Sequence, residues 1–249
     1  MKYASMDEII ESDGLRLVIV KDMPSAWGVA VKAMLEHKEL DFLMGHQIAM
    51  SENPKLLAWS GTNSGPVVAW NDEAPINRWN DILCLIERLA PEKPLIPENV
   101  KEQIEVMGIS NAICGELGFG WNRRLDMMRP PEGEDPSDFG KKYFYREADA
   151  ALANGRVIAL MSELSSRLKD QANKGSQFLV GASVTAADFY WAAFSNFVVI
   201  QSAEECPINP QARPMFENTP AEIVDAIDPI LIKHRDEIMS SYYKLPLEL

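Results

Sequence analysis

The chain has 249 residues, 47% of them apolar, and a formal net charge of −13. Such a length builds one or two domains with a sizeable core, and the acidic balance excludes nucleic acid and anionic membrane surfaces as partners, because both demand clustered Lys and Arg. Cys84, Cys114 and Cys206 stand far apart without a CxxC spacing, and three histidines (His37, His46, His234) are too few for an imidazole-rich site, so neither a disulfide framework nor a metal is expected.

The opening Met1-Lys2-Tyr3-Ala4-Ser5-Met6-Asp7-Glu8 is too acidic and too poor in apolar residues for a signal peptide, and the expected location is cytoplasmic. Leu15-Arg16-Leu17-Val18-Ile19-Val20 is a β-branched run that predicts a strand buried on both faces. A turn over residues 21–24 leads into a helix with Trp27, Ala30, Val31, Met34 and Leu35 on one face. Residues 40–44 are expected to form the second strand. Strand, helix and strand with short links make a βαβ unit with parallel pairing. Residues 51–64 read as a polar loop. Gly65-Pro66-Val67-Val68-Ala69-Trp70 is a third strand opening on a proline, at the position where no ladder donor is needed. After a turn at Asn71-Asp72-Glu73 and a very short fourth strand, Trp79, Ile82, Leu83 and Ile86 mark an amphipathic helix. The order βαβ–ββα is that of a thioredoxin-like domain.

Pro91, Pro94 and Pro97 break any helix and mark a boundary. The expected division is residues 1–90 as an α/β thioredoxin-like domain, 91–98 as linker and 99–249 as an all-helical bundle. In the second part helices are expected over about 98–128 and 140–172, with Ser137 or Asp138 as a cap. Thr185 followed by Asp188 at the third helical position is a capping box, and Val184 and Phe189 stand where a hydrophobic staple closes. The run behind it, through Tyr190, Trp191, Ala192, Ala193, Phe194, Phe197 and Val198, is apolar nearly all round and too short to span a bilayer. It predicts a buried central helix. Residues 206–218 read as irregular, and Thr219-Pro220-Ala221-Glu222 as a second capping box opening a last helix that runs to about 243.

A thioredoxin-like front, a Pro-rich linker and a helical back part with the Gly181-Ala182-Ser183-Val184-Thr185-Ala186-Ala187-Asp188 box together resemble the glutathione transferase superfamily. The likeness covers nearly the whole chain. Residues 25–40 are similar to the family's first turn and helix, Gly65-Pro66-Val67-Val68 to the strand whose leading proline is cis, and residues 82–91 to the third helix and linker start.

The resemblance implies glutathione as co-substrate, held along the front domain with its thiol pKa lowered. Lowering that pKa by about two requires roughly 2.7 kcal/mol of preferential thiolate stabilisation. One charge-assisted hydrogen bond of about 1.5–3 kcal/mol, aided by a helix N-terminus, supplies it. Ser25 stands at the start of the first helix and is implied to be the thiolate donor; its alternative is a plain N-cap serine. Ala26 and Trp27 are the implied neighbours of the tripeptide, Trp27 also serving the apolar face of the helix. Ser64, Gly65 and Pro66 are implied to bind glutathione, Gly65 through its backbone N–H and C=O towards the cysteinyl unit. Where the family has an acidic residue or Gln followed by Ser, this chain has Arg78-Trp79. Arg78 is expected to clamp the α-carboxylate bidentately, with Asp81 or a neighbour meeting the ammonium and Trp79 packing inward; the alternative is a site that binds glutathione weakly or not at all. Trp121, Arg124 and Met128, at i, i+3 and i+7, are the implied wall for the second substrate, with ordinary helix packing as the alternative. The acidic loop Glu132-Gly133-Glu134-Asp135 is read as solvated surface. His234-Arg235-Asp236 has no nucleophile beside it, which argues against a hydrolase triad. No cysteine falls at the Ser25 position, which argues against a mixed-disulfide mechanism.

The expected function is a glutathione transferase conjugating the thiolate to a small, largely apolar electrophile, in a detoxifying, homodimeric, cytoplasmic protein. The alternatives are a non-catalytic ligand- or partner-binding member, or a glutathione-dependent isomerase, ether-cleaving or dehalogenating enzyme on the same scaffold.

Overall fold

The computed structural model describes residues 3–249; Met1 and Lys2, the first two of the segment in which no signal peptide was read, lie outside the described residues. The chain forms two units. The first takes in residues up to Leu95 together with Gln201–Ala212 and Met239–Leu249, and the second Ile96–Ile200 and Arg213–Ile238.

In the first unit the elements are α1 (Met6–Glu11), β1 (Leu15–Val20), α2 (Ala26–His37), β2 (Leu43–Gln47), α3 (Pro54–Ser60), β3 (Val67–Trp70) and α4 (Trp79–Leu89). The three strands lie in the order β2-β1-β3. β1 pairs with β2 in parallel and with β3 antiparallel. Being central, β1 is covered on both faces, which is why its apolar run does not alternate. Val18 packs with Ile9, Leu56 and Val67 on one side, while Ile19 meets the start of α2 on the other. The short fourth strand is a single bridge, with Val68 and Ile76 exchanging N–H···O bonds of 2.8 Å.

Three local expectations are corrected. The second strand is Leu43–Gln47 rather than 40–44, and it includes Gly45, where a Cβ would come within 2.7 Å of Ile9 Cγ1; close packing of α1 on the sheet requires glycine there. α1 itself was not expected; Ser5 and Glu8 form a reciprocal capping box at its start. The polar stretch 51–64 contains α3, which opens on Pro54 at its first position and buries Leu56.

In the second unit follow α5 (Val100–Cys114), α6 (Phe119–Met127), α7 (Asp138–Lys142), α8 (Glu147–Asn173), α9 (Ala186–Phe194) with a 3-10 turn at Ser195–Phe197, α10 (Arg213–Glu217), α11 (Ala221–Asp225) and α12 (Pro229–Tyr242). α5 packs on α9 and α6 on α8. The helix expected over 98–128 is broken at Gly115 and Gly118: a Cβ at Gly118 would stand 2.6 Å from the Ala112 carbonyl oxygen, and Leu117 between them has φ +61°. The helix expected from 140 is likewise split, at Phe144 with φ +54°, and the last one is split into α11 and α12.

α9 is the buried helix that the sequence predicts: every residue from Ala186 to Phe194 is buried. Asp188, fully buried, accepts from the Thr185 N–H (2.8 Å), the Thr185 hydroxyl (2.9 Å) and the Leu179 N–H (2.8 Å). Trp191 donates to the Leu231 carbonyl at 3.1 Å.

The two late segments of the first unit are held by specific bonds. Asn209 N–H donates to the Asp22 carbonyl at 3.3 Å and Leu247 N–H to the Glu205 carbonyl at 2.7 Å. Lys32, only 5% exposed, pairs with Glu36 and Glu248, and Lys244 reaches Glu36.

Candidate functional site

β1 delivers the chain into residues 21–25 and then into α2, whose N-cap is Ser25. Four constraints fix that entry. Lys21 N–H donates to the Gln47 carbonyl, Ser25 N–H to the Met23 carbonyl, Asn209 N–H to the Asp22 carbonyl, and Pro24 is buried. The Ser25 hydroxyl makes no cap hydrogen bond, and no acidic residue occupies the first turn of α2. The helix therefore presents orphan N–H donors and its positive dipole end without an internal anion.

β3 enters the sheet at this same end, because it runs antiparallel to β1 with Val18 opposite Val67. Gly65 precedes it, joined to Pro66 by a cis peptide as the resemblance implies. A Cβ at Gly65 would stand 2.9 Å from the Val18 carbonyl oxygen and 3.3 Å from Ile19 Cα. Among the described residues none hydrogen-bonds to the Gly65 backbone. Ser64, half-buried, is turned by its N–H bond to Thr62 Oγ1 at 3.2 Å.

The Val68–Ile76 bridge runs antiparallel, so the chain retraces β3 towards Pro66 and carries Arg78, the N-cap of α4, to the same end. Arg78 is exposed, and among the described residues no carboxylate pairs with it; Asp81 in the first turn of α4 is exposed too. Trp79 is half-buried, as is Trp27, while Ala26 is buried in the core. Ser25, Gly65 and Arg78 are thus brought to one end of the sheet by three separate elements. The next side chain along this end is His46, level with Ile19 in the parallel ladder. Burial and the nearby Lys21 push its pKa down, with Asp22 opposing, and the Tyr3 ring lies against it, tilted by 35° with centroids 3.6 Å apart.

Trp121, Arg124 and Met128 lie on or just after α6, in the second unit. Met128 is buried in a cluster with Leu125, Ala150 and Ala153. The Arg124 guanidinium sits over the Tyr143 ring at 4.3 Å and over Trp121 at 5.7 Å. Burial lowers its pKa, and Tyr143 counters. The two rings meet edge to face, 6.3 Å apart, and the cation lies against this pair, closest to Tyr143.

The residues that sequence reasoning missed around Ser25 are Ile19, Gly28 and Asn209. An isolated Gly inside a helical pattern was the available signal for Gly28. His234, set aside as lacking a nucleophile, holds Asp188 and lies among buried residues. Among the described residues no group of three His, Cys, Asp or Glu is placed to hold a metal ion, and no helix is long and apolar enough to cross a membrane.

No protein-family model and no curated protein sequence matches the chain. Solved structures do. A glutathione S-transferase from Methylobacillus flagellatus with glutathione bound superposes with a TM-score of 0.67 at 14% identity, covering 95% of this chain and 100% of that one. A glutathione S-transferase domain-containing protein from Marinobacter aquaeolei gives 0.67 at 14% identity, over 92% and 100%. A glutathione S-transferase from Methylobacterium radiotolerans, in complex with glutathione sulfonate, gives 0.61 at 15%, over 91% of each chain. This chain has the glutathione S-transferase fold.

Proposed function

We propose that this protein binds glutathione at the Ser25–Gly65–Arg78 end of the sheet and transfers its thiolate to a small, largely apolar electrophile. The observation that carries the reading is the convergence there of an uncapped helix start with a glycine backbone and a guanidinium that have no partner among the described residues, in a fold whose similar chains include two with glutathione or its sulfonate bound. In this reading the Ser25 hydroxyl donates to the thiolate, and the α2 N-terminus favours the charged form. The Gly65 N–H and C=O pair with the cysteinyl unit in the manner of an added strand. Ala26, Trp27, Ser64 and Pro66 shape the cradle, Arg78 holds the α-carboxylate, Asp81 meets the ammonium, and Trp79 packs beside them. The sulfur attacks the electrophilic carbon and the leaving group departs with the bonding electron pair.

The electrophile is taken against the α6 face that carries Trp121 and Arg124, with Met128 supporting it from the core. The front unit acts as the glutathione domain and the helical unit as the substrate domain, in a homodimeric cytoplasmic protein with a detoxifying role. A second reading, a non-catalytic binder of apolar ligands or partners, is favoured by Arg78-Trp79 standing in place of the acid–serine pair. An isomerase, ether-cleaving or dehalogenating reaction on the same thiolate would differ only in the second substrate.

The deciding experiment is calorimetric titration with reduced glutathione and with its S-methyl derivative. Tighter binding of the free thiol supports thiolate stabilisation. Heat from neither ligand rejects the glutathione reading and leaves the binder.

A further inference from the structure

We infer that Gly28 is a positioning residue for Ser25: it sets how closely the start of α2 approaches the strand ends that carry Gly65. The inference rests on the glutathione-site reading above. Gly28 is the third residue of α2 and is buried. A Cβ placed on it would come 3.1 Å from Ile19 Cγ2 and 3.3 Å from Ile19 Cβ, tighter than ordinary van der Waals contact. Ile19 has no room to retreat. It is 2% exposed, is paired with His46 of β2 one residue beyond the β3 ladder, and has Gly65 closing on its backbone. Two glycines therefore abut the same short stretch, Val18–Ile19, one from the helix start and one from the β3 entry.

No turn or positive φ requires glycine at position 28. In a helix glycine is a poorer choice than alanine, so its presence has to be explained by the space it leaves. That space fixes the Ser25 hydroxyl and the first-turn N–H groups relative to the Gly65 backbone. A thiolate held by both tolerates little error, since displacements well under 1 Å weaken charge-assisted hydrogen bonds and catalysis steeply.

The test uses four full-length proteins: wild type, Gly28→Ala, Ile19→Leu and the double variant. Leucine keeps the volume of isoleucine but has no methyl on Cβ, so it removes the nearer of the two atoms that an alanine at 28 would strike. Gly28→Ala is expected to weaken glutathione at least fivefold, to raise the pH at which conjugation reaches half its maximum, and to shift the amide resonances of Ser25 and Gly65 in the ligand-free protein. Ile19→Leu alone is expected to bind within twofold of wild type, and the double variant to recover affinity, pH profile and resonances to near wild type. Unchanged affinity, pH profile and resonances in Gly28→Ala overturn the inference. So does a double variant that stays as impaired as Gly28→Ala, or that fails to fold. A wild type that gives no heat with glutathione defeats the ligand reading only. The ligand-free resonances then decide: shifts in Gly28→Ala that Ile19→Leu reverses uphold the spacing role, and none refutes it.

Discussion

His234 Nε2 lies 2.9 Å from Asp188 Oδ1, with both side chains buried. One carboxylate thereby joins the start of α9, the Leu179 backbone and α12. The sequence presents Thr185–Asp188 as a capping box, whose ordinary contribution is about 1 kcal/mol. The burial and the four donors give it a larger part.

Asp188→Ala strands two backbone N–H groups, a hydroxyl and His234 in a dry interior. The expected loss is about 3–5 kcal/mol of unfolding free energy, read from urea denaturation of the whole protein. Thr185→Ala should cost only about 1 kcal/mol, because the carboxylate keeps its other partners. Equal losses in the two variants would contradict the hub.

At Gly65 an added methyl meets backbone rather than a yielding side chain, 2.9 Å from the Val18 oxygen. Gly65→Ala is expected to destabilise the protein by about 1–3 kcal/mol and to weaken glutathione along with it. A denaturant midpoint equal to that of wild type would show that β3 can shift freely.

Ser25→Ala should lower kcat/KM for conjugation roughly 10- to 150-fold, the rate equivalent of a charge-assisted bond of about 1.5–3 kcal/mol. Arg78→Ala should weaken glutathione only about fivefold, since an exposed ion pair contributes roughly 1 kcal/mol or less. Steady-state kinetics and calorimetry on the same preparations separate the two. If Ser25→Ala turned over like wild type, the thiolate role would have to pass to another donor.

The front unit should gain stability as pH rises towards 6.5. Burial lowers the pKa of His37, helped by Lys93 and Lys38 and opposed by Glu39; burial and Lys21 do the same at His46, opposed by Asp22. Between the lowered folded value and the ordinary 6.5 the unfolded chain binds more protons, so stability rises with pH through that window and levels off above it. Substituting both histidines with asparagine should flatten this part of the profile. A slope that survives both substitutions must come from other groups.

The fold was legible wherever a pattern had one physical meaning. Leu15–Val20 was read to its ends because a central strand is apolar on both faces, and Thr185–Asp188 because a capping box before an all-apolar run fits little else. β2 is displaced from 40–44 because the apolar run ends at Met44, while Gly45-His46-Gln47 continues the strand without an apolar pattern, Gly45 leaving the space that Ile9 fills. α1 and α3 escaped because helices this short carry no periodicity, only caps. For the site, Ser25, Gly65 and Arg78 could each be singled out, but their meeting depends on strand register, which no local pattern encodes. Trp121, Arg124 and Met128 show a helical spacing, yet spacing does not tell a ligand wall from a cation against Tyr143 and packing in the Ala150 cluster.

Residues 201–212 and 239–249 have a consequence for the order in which the molecule can be made. The turn ahead of Ser25 is bonded by Asn209, and buried Lys32 finds Glu248 only at the far end of the sequence. A growing chain that has just emerged through Leu95 therefore has all three strands and the Lys32–Glu36 pair, but lacks the Asn209 bond and the second carboxylate at Lys32. The front unit reaches its finished form only after the intervening helical stretch has been synthesised. A truncated piece ending at the linker would be a poor stand-in for it in any binding assay.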